Sequence, residues 1–263
     1  VERPEPAVYL ANQSTALRMF QHSLHDRAGD PMRVPSDASP GALAWANVRS
    51  STMDRHAAGE QVRVDSRVDS VMMGIGHALA ETAGGQLQVG LMGGHGRATN
   101  DATSRVTGYT ARGVVSGTSL GLYGTWVQEA GMLPGAYVDS WLQYARFRNR
   151  VQGQGLAEQQ YRSRNWSGSV EGGYTLPLHS NGQRGVYLEP QLQVIHNHYN
   201  ADEVVEATGT VVESRRVGGT STRLGARLYT RALTQKQGQV HPFVAVNWWS
   251  GGNASAIAVD GEA

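Results

Sequence analysis

Nine histidines and no cysteine set the terms for any chemistry this chain could do. Without thiols there is no disulfide, no cysteine nucleophile and no cysteine-bound zinc. His196 and His198 stand two apart in "QVIHNH", on one face of an extended segment, a spacing that could chelate a metal ion. Nothing nearby in the sequence completes a site, so neither a metal nor a cofactor is expected. "GGHG" at 93–96 and "GIG" at 74–76 look like glycine-rich phosphate loops. Both sit inside strand-like runs and lack the helix such loops need. They read instead as bends or points of close approach. His179, His196, His198, Asp139 and Asp202 could gather near a rim, but without a recognisable catalytic pattern.

The elements that would carry these residues are legible in composition and period. At 263 residues the chain is long for one ordinary domain but within the size of a large barrel. The formal charge of +1 gives no general affinity for nucleic acid. Glycine is abundant at 33 residues and phenylalanine scarce at 3, which suits strands and turns rather than a helical enzyme. No apolar run approaches the roughly 20 residues of a spanning helix. No signal peptide starts at Val1, so the chain reads as a processed or excised piece.

The first segment, "AVYLANQSTALRMFQHSLHDRAGDP", differs from the rest. Leu17, Phe20 and Leu24 recur at helical spacing, and Gly29 and Pro31 supply stop signals. A helix over 7–28 would be about 33 Å long at ~1.5 Å per residue. It carries Asn12, Gln13, Arg18, Gln21, His22, His25, Asp26 and Arg27, too polar a set for lipid. It therefore belongs on a soluble surface or inside a wet channel. After a Pro/Ser/Gly stretch at 31–41 the pattern turns to period two. Nine strands are predicted, at 42–55, 60–80, 85–97, 115–128, 135–149, 160–178, 185–199, 210–233 and 239–256.

Several strands have one oily and one wet face. Leu120 and Leu122 alternate with Ser119 and Tyr123, and Leu188, Leu192 and Val194 with Glu189, Gln191 and Gln193. Leu224 and Leu228 alternate with Arg223 and Arg227, and Val244 and Val246 with Phe243, Ala245 and Asn247. Glu171 shares its wet face with Ser167 and Ser169. Arg63, Asp65, Arg67 and Asp69 share one face of the second strand. In a soluble sandwich the oily face looks inward, and in a membrane barrel it looks out at lipid. Clean alternation over about ten residues exceeds the usual 5–6 of a sandwich strand and fits the 9–11 of a membrane strand. Trp126, Trp141, Tyr144, Trp166, Tyr174, Trp248 and Trp249 lie near strand ends, as interfacial girdles do. Both observations favour the outward oily face. An outer-membrane enzyme barrel of protease or lipase type and a soluble β-rich binding protein are the alternatives.

"RPEPAVYLANQSTALRMFQHSLHDR" resembles the entry to the translocator domain of autotransporters, the type V secretion proteins of Gram-negative bacteria. "LGLYGTW" (120–126), "GAYVDSWLQY" (135–144), "LEPQLQV" (188–194) and "HPFVAVNWW" (241–249) resemble successive strands of its adhesin-type branch. The resemblance covers essentially the whole chain. It implies an all-β, antiparallel transmembrane barrel of twelve strands with an N-terminal helix in the lumen. Residues 1–31 would be linker and pore helix, and 32–263 the barrel. Tyr9, Asn12, Arg18, Phe20, His25, Asp26 and Arg27 would belong to the pore helix. Arg63, Asp65, Arg67, Asp69, Glu171, Glu189, Gln191, Arg223 and Arg227 would face the lumen. Leu120, Leu122, Leu188, Leu192, Val194, Leu224, Leu228, Val244 and Val246 would face lipid. The implied function is export of an N-terminal passenger across the bacterial outer membrane, without enzymatic activity. The implied partners are that passenger, outer-membrane lipid and the barrel-assembly machinery, and the completed domain is expected to be monomeric. The chain stops at "NASAIAVDGEA", after nine strands, so an incomplete set is expected. No asparagine pair precedes the helix, and self-cleavage, which some relatives perform, is not expected of this segment.

Overall fold

The structure, a computed structural model, describes residues 3–28, 42–57, 60–79, 84–130, 133–180, 184–206, 209–214, 218–232, 242–251 and 257–259. Two helices come first, α1 (Glu5–Arg18) and α2 (Leu24–Ala28). Then follow β1 (Ala42–Ala57), β2 (Val62–Ala78), β3 (Gly85–Ser104), β4 (Thr110–Ala130), β5 (Leu133–Gly153), β6 (Gln159–Tyr174) and β7 (Leu176–Ser180). The remainder are β8 (Arg184–Ala201), β9 (Val204–Val205), β10 (Val211–Ser214), β11 (Gly218–Ala232), β12 (Phe243–Ser250) and β13 (Ile257–Val259). The all-β, antiparallel reading holds. β1-β2-β3-β4-β5-β6-β8-β11-β12 form one sheet in that order, with every neighbour antiparallel, and the sheet curls around α1. β13-β10-β9 make a small separate sheet.

The differences from the predicted elements have local causes. The strand expected over 160–178 breaks at Thr175 into β6 and β7, both paired with β8. Pro177 has no N–H for the ladder, and the register slips between Pro177 and His179. The strand expected over 210–233 divides between the small sheet and β11. The helix expected over 7–28 bends after Arg18. The hairpin turns at 105–109 and 154–158 each place a glycine, Gly108 and Gly155, at φ 74° and 75°. A side chain there would strain the turn.

β4 and β5 run 21 residues each, which is about 70 Å of strand at ~3.4 Å per residue. An outward apolar band is only about 25 Å tall, so the strands continue well past it. The outer face is layered accordingly. Leu120, Leu122, Leu192, Val194, Leu224, Leu228, Val244 and Val246 are exposed on it and Leu188 partly so. Leu120 is 70% exposed beside Ser119 at 8%, so the oily side of the alternation looks outward. Exposed apolar area of this extent signals a non-aqueous neighbour. Tyr144, Trp166, Tyr174, Trp126 and Trp248 share that outer face, whereas Trp141 and Trp249 face inward. Arg63, Asp65, Arg67 and Asp69 correct the reading of β2. They are exposed on the outer face, and Val62, Val64, Ser66 and Ser70 face the interior. Their outer-face successors on the same strand are Val71, Met73 and Ile75, so one face changes from charged to apolar as the strand enters the band.

Candidate functional site

The interior is filled by the N-terminal segment. α1 starts at Pro4 with Pro6 inside its first turn, where a missing N–H costs nothing. Its polar and apolar residues alike are buried, including Asn12 at 0% exposure, Gln13, Ser14 and Thr15. The helix lies closest to β3 and β4, whose inward positions are small. At Gly113 a Cβ would collide with Asn12 and Val8, at Gly96 with Met19, and at Gly94 with Phe20. Gly94 and Gly96 belong to "GGHG", and their use is close approach. Gly74 and Gly76 of "GIG" lie under Trp45 and Tyr123 in the same way.

Contacts along the helix are graded. At its start Tyr9 packs on Tyr161 with ring centroids 5.7 Å apart, and its hydroxyl donates to Glu206 Oε1 at 3.2 Å. Val204 and Val212 of the small sheet join that cluster with Val8, Ala11, Val62, Val64 and Val151. In the middle, Asn12 Nδ2 donates to the Arg150 carbonyl at 3.2 Å, and Asn100 Nδ2 donates to Asn12 Oδ1 at 2.8 Å. Arg55 donates to Ser14 Oγ at 2.7 Å. Phe20 stacks on Phe147 at 6.0 Å beside Leu17, Met19 and Ile195. Arg18 is exposed to a cavity of about 460 Å³ between the helix, β1, β2 and the β11–β12 edge, together with Arg49, Arg55, Asn247 and Trp249. It meets none of the β2 charges that the resemblance placed in the lumen.

Beyond the bend the contacts become polar and reach opposite walls. Ser23 and Asp26 cap α2 reciprocally: Asp26 Oδ2 accepts from Ser23 N at 2.9 Å, and Ser23 Oγ accepts from Asp26 N at 3.3 Å. Leu24 N donates to Glu171 Oε2 at 3.0 Å, which is free because the helix starts there. His25 Nε2 lies 3.1 Å from Glu189 Oε1. Arg27 is buried against Asp139 in an ion pair, donates to Thr125 Oγ1 at 2.8 Å and lies 4.1 Å over the Tyr123 ring. Across the lumen, Asn47 donates to the Asp26 carbonyl at 2.7 Å, and Arg49 pairs with Asp26 at 3.2 Å. His22 stacks on Trp141 at 4.8 Å, and its carbonyl accepts from Gln193 Nε2 at 2.9 Å. Arg223 ties the wall together: it pairs with Glu171 at 2.8 Å and donates to Gln191 and Gln193. Arg227 also faces inward, over the rings of Tyr229 and Phe243.

Glu171, Glu189, Gln191, Arg223 and Arg227 thus lie in the interior, together with Tyr9, Asn12, Phe20, His25, Asp26 and Arg27. Sequence reading missed Asp139, Thr125 and Tyr123 as partners of Arg27, and it placed Asp139 near a rim. The alternation of "YVDSWLQY" puts Asp139 on the same face as Trp141 and Gln143, which was a usable signal. The capping pattern Ser23-x-x-Asp26 was another. His179 and Asp202 sit at opposite ends of β8, some 16 residues apart along it. At ~3.3 Å per residue that is about 50 Å, too far for one catalytic constellation. His196 and His198 are on the outer face, with His196 Nδ1 3.0 Å from Thr220 Oγ1. Among the described residues no three potential ligands gather around a metal site.

A family model for the autotransporter beta-domain matches residues 44–261. An uncharacterized protein of Escherichia coli (strain K12), YdeU, is 31% identical over 100% of this chain and 59% of its own length. The E. coli autotransporter adhesin AIDA-I is 25% identical over 94% of this chain and 20% of its own length. The chain therefore spans only part of the curated relatives it matches. The crystal structure of the AIDA-I transport unit aligns with a TM-score of 0.80 at 23% identity, covering 100% of this chain and 83% of that one. The curled antiparallel sheet described above is the fold shared with that structure. The chain belongs to the autotransporter family, as an outer-membrane beta-domain.

Proposed function

We propose that this domain carries its own N-terminal passenger to the cell surface and that α1 and α2 then fill the channel as plug and tether. The observation that supports this is the burial of most of a polar helix against wall residues that bond many of its polar groups, from Asn12–Asn100 to Arg27–Asp139. The end where α1 begins is the outer one, since the passenger joins there. Leu120, Leu122, Leu188, Leu192, Val194, Leu224, Leu228, Val244 and Val246 face lipid. Residues 1–31 act as linker and pore helix and 32–263 as barrel wall. The domain works without catalysis, is inserted by the barrel-assembly machinery and acts as a monomer. Planar-bilayer conductance of the full-length protein, with and without residues 1–28, tests the plug. Deletion should open a steady channel, and equal conductance would remove the idea.

A further inference from the structure

On the outer face of β5 and β6, arginines oppose arginines. Tyr144 and Trp166 are register partners with ring centroids 4.8 Å apart. Next along the ladder Arg146 opposes Arg164, and then Arg148 opposes Arg162. All four are exposed. Like charges placed directly opposite destabilise a strand pair. Elsewhere on this surface several arginines meet carboxylates. Arg63 meets Asp54 at 2.8 Å and Asp65 at 3.2 Å, Arg67 meets Asp69 at 3.0 Å, and Arg112 meets Asp101 at 2.6 Å. Arg150, one step further up β5, has Glu158 at 4.0 Å. Among the described residues no carboxylate lies within 4.0 Å of any of the four facing arginines. Arg146 leans on Tyr144, donating to its hydroxyl at 3.3 Å. Thr118 and Ser116 on β4 and Asn200 on β8 are neutral register neighbours, and the one acidic neighbour, Asp202, donates its backbone N–H to the Arg162 carbonyl at 2.9 Å without its carboxylate coming within ion-pair distance of the four.

Position says what belongs there. Below the Tyr144–Trp166 pair the outer face is apolar, through Leu120, Leu142 and Val170. Arg146 and Arg148 lie two and four residues past Tyr144, about 7 and 14 Å along a strand. With a tilt near 40° that is about 5 and 10 Å above the apolar band. This is headgroup depth, where an anion can reach the arginines while its tails remain on the band. Guanidinium forks bind phosphate through paired hydrogen bonds. We propose that Arg146, Arg148, Arg162 and Arg164 bind the phosphates of a phosphorylated glycolipid of the outer leaflet, lipid A, with its acyl chains along Leu120, Leu142 and Val170. The bound phosphates relieve the arginine–arginine opposition and fix the height of the barrel in the membrane. The assignment rests on the orientation proposed above, with the start of α1 outside.

The test uses the full-length protein, delipidated in nonionic detergent and titrated with bisphosphorylated lipid A. The temperature of its heat-modifiable gel shift is followed. Lipid A should raise that temperature, while dephosphorylated lipid A and inorganic phosphate should not. The variant R146Q/R148Q/R162Q/R164Q should need at least about tenfold more lipid A. A control that removes three arginines elsewhere on the outer face, R63Q/R67Q/R112Q, should titrate like the native protein. Equal curves for the native protein and the quadruple variant, or an equal response to dephosphorylated lipid A, would overturn the site. If the glutamine variant does not fold, the comparison of lipids on the native protein decides alone. A response to phosphatidylglycerol but none to lipid A would also overturn the glycolipid assignment. Labelling of a Thr107→Cys variant on intact cells reports separately whether this end is outside.

Discussion

Replacing Asp139 with alanine should unseat the helix without breaking the wall. In the native arrangement Arg27 and Asp139 are 5% and 1% exposed, so neither charge has water to fall back on. Removing one member of a buried ion pair costs about 3–5 kcal/mol, because the other is left uncompensated. Among the contacts of Arg27 that survive the change are the hydrogen bond to Thr125 and the ring of Tyr123. They are worth roughly 1 and 2 kcal/mol and keep the loss near the low end, about 3 kcal/mol. At ~1.4 kcal/mol per decade this shifts the seated-to-open ratio by about a hundredfold. Single-channel recordings of the full-length protein should show openings that are rare in the native form and frequent in Asp139→Ala. The double variant Arg27→Met/Asp139→Leu leaves no charge unpaired and should close again in large part. Native-like closure in the single variant would refute the reasoning. So would a double variant that opens as often as the single one.

Gly113→Val should displace α1 from β4, because even a Cβ there collides with Asn12 and Val8. Faster protease cleavage within 5–18 of the folded protein is the readout. Leu192→Arg should lower unfolding stability by about 2–4 kcal/mol in lipid, whereas an arginine on the charged outer face nearer the helix start should cost little. Denaturant titration in vesicles measures both. Ser23→Ala removes one half of the α2 cap and should cost about 0.5–2 kcal/mol, with Asp26→Ala not adding to it fully. Spin labels at Leu192 and Gln193 should report oxygen access at the first and seclusion at the second.

The strands and their two-faced alternation were legible because period two is a direct consequence of the extended backbone. Which of Leu192 and Gln193 looks outward needed more, namely strand length, the placement of aromatics and the family resemblance. The β2 charges were misread because a charged face was equated with the interior. Arg63 shares its parity with Val71, Met73 and Ile75, and following that parity along the whole strand would have placed it outside. The glycine seats at 94 and 96 were recognisable as close approaches and Gly113 was not singled out; what approached them depends on residues roughly 75 to 100 positions away. The Arg27–Asp139 pair is long-range in the same sense. Its geometry depends on how β4 and β5 bring Thr125 and Asp139 into register, and no local pattern carries that.

The bend between α1 and α2 has a mechanical consequence. On the proposed function as tether, drag on a passenger pulls on the Glu5 end and runs down α1 as tension. A straight rod in a smooth bore would resist only through friction along its length. Here the chain turns at Met19–Ser23, and the segment beyond is held to β1 by Asn47 and Arg49 and to the facing strands by Glu171, Glu189 and Asp139. Those bonds share the pull in parallel and must fail together, so the segment behaves as an anchor. The packing around Tyr9 takes the first strain, and the anchor sets the force at which the passenger is lost.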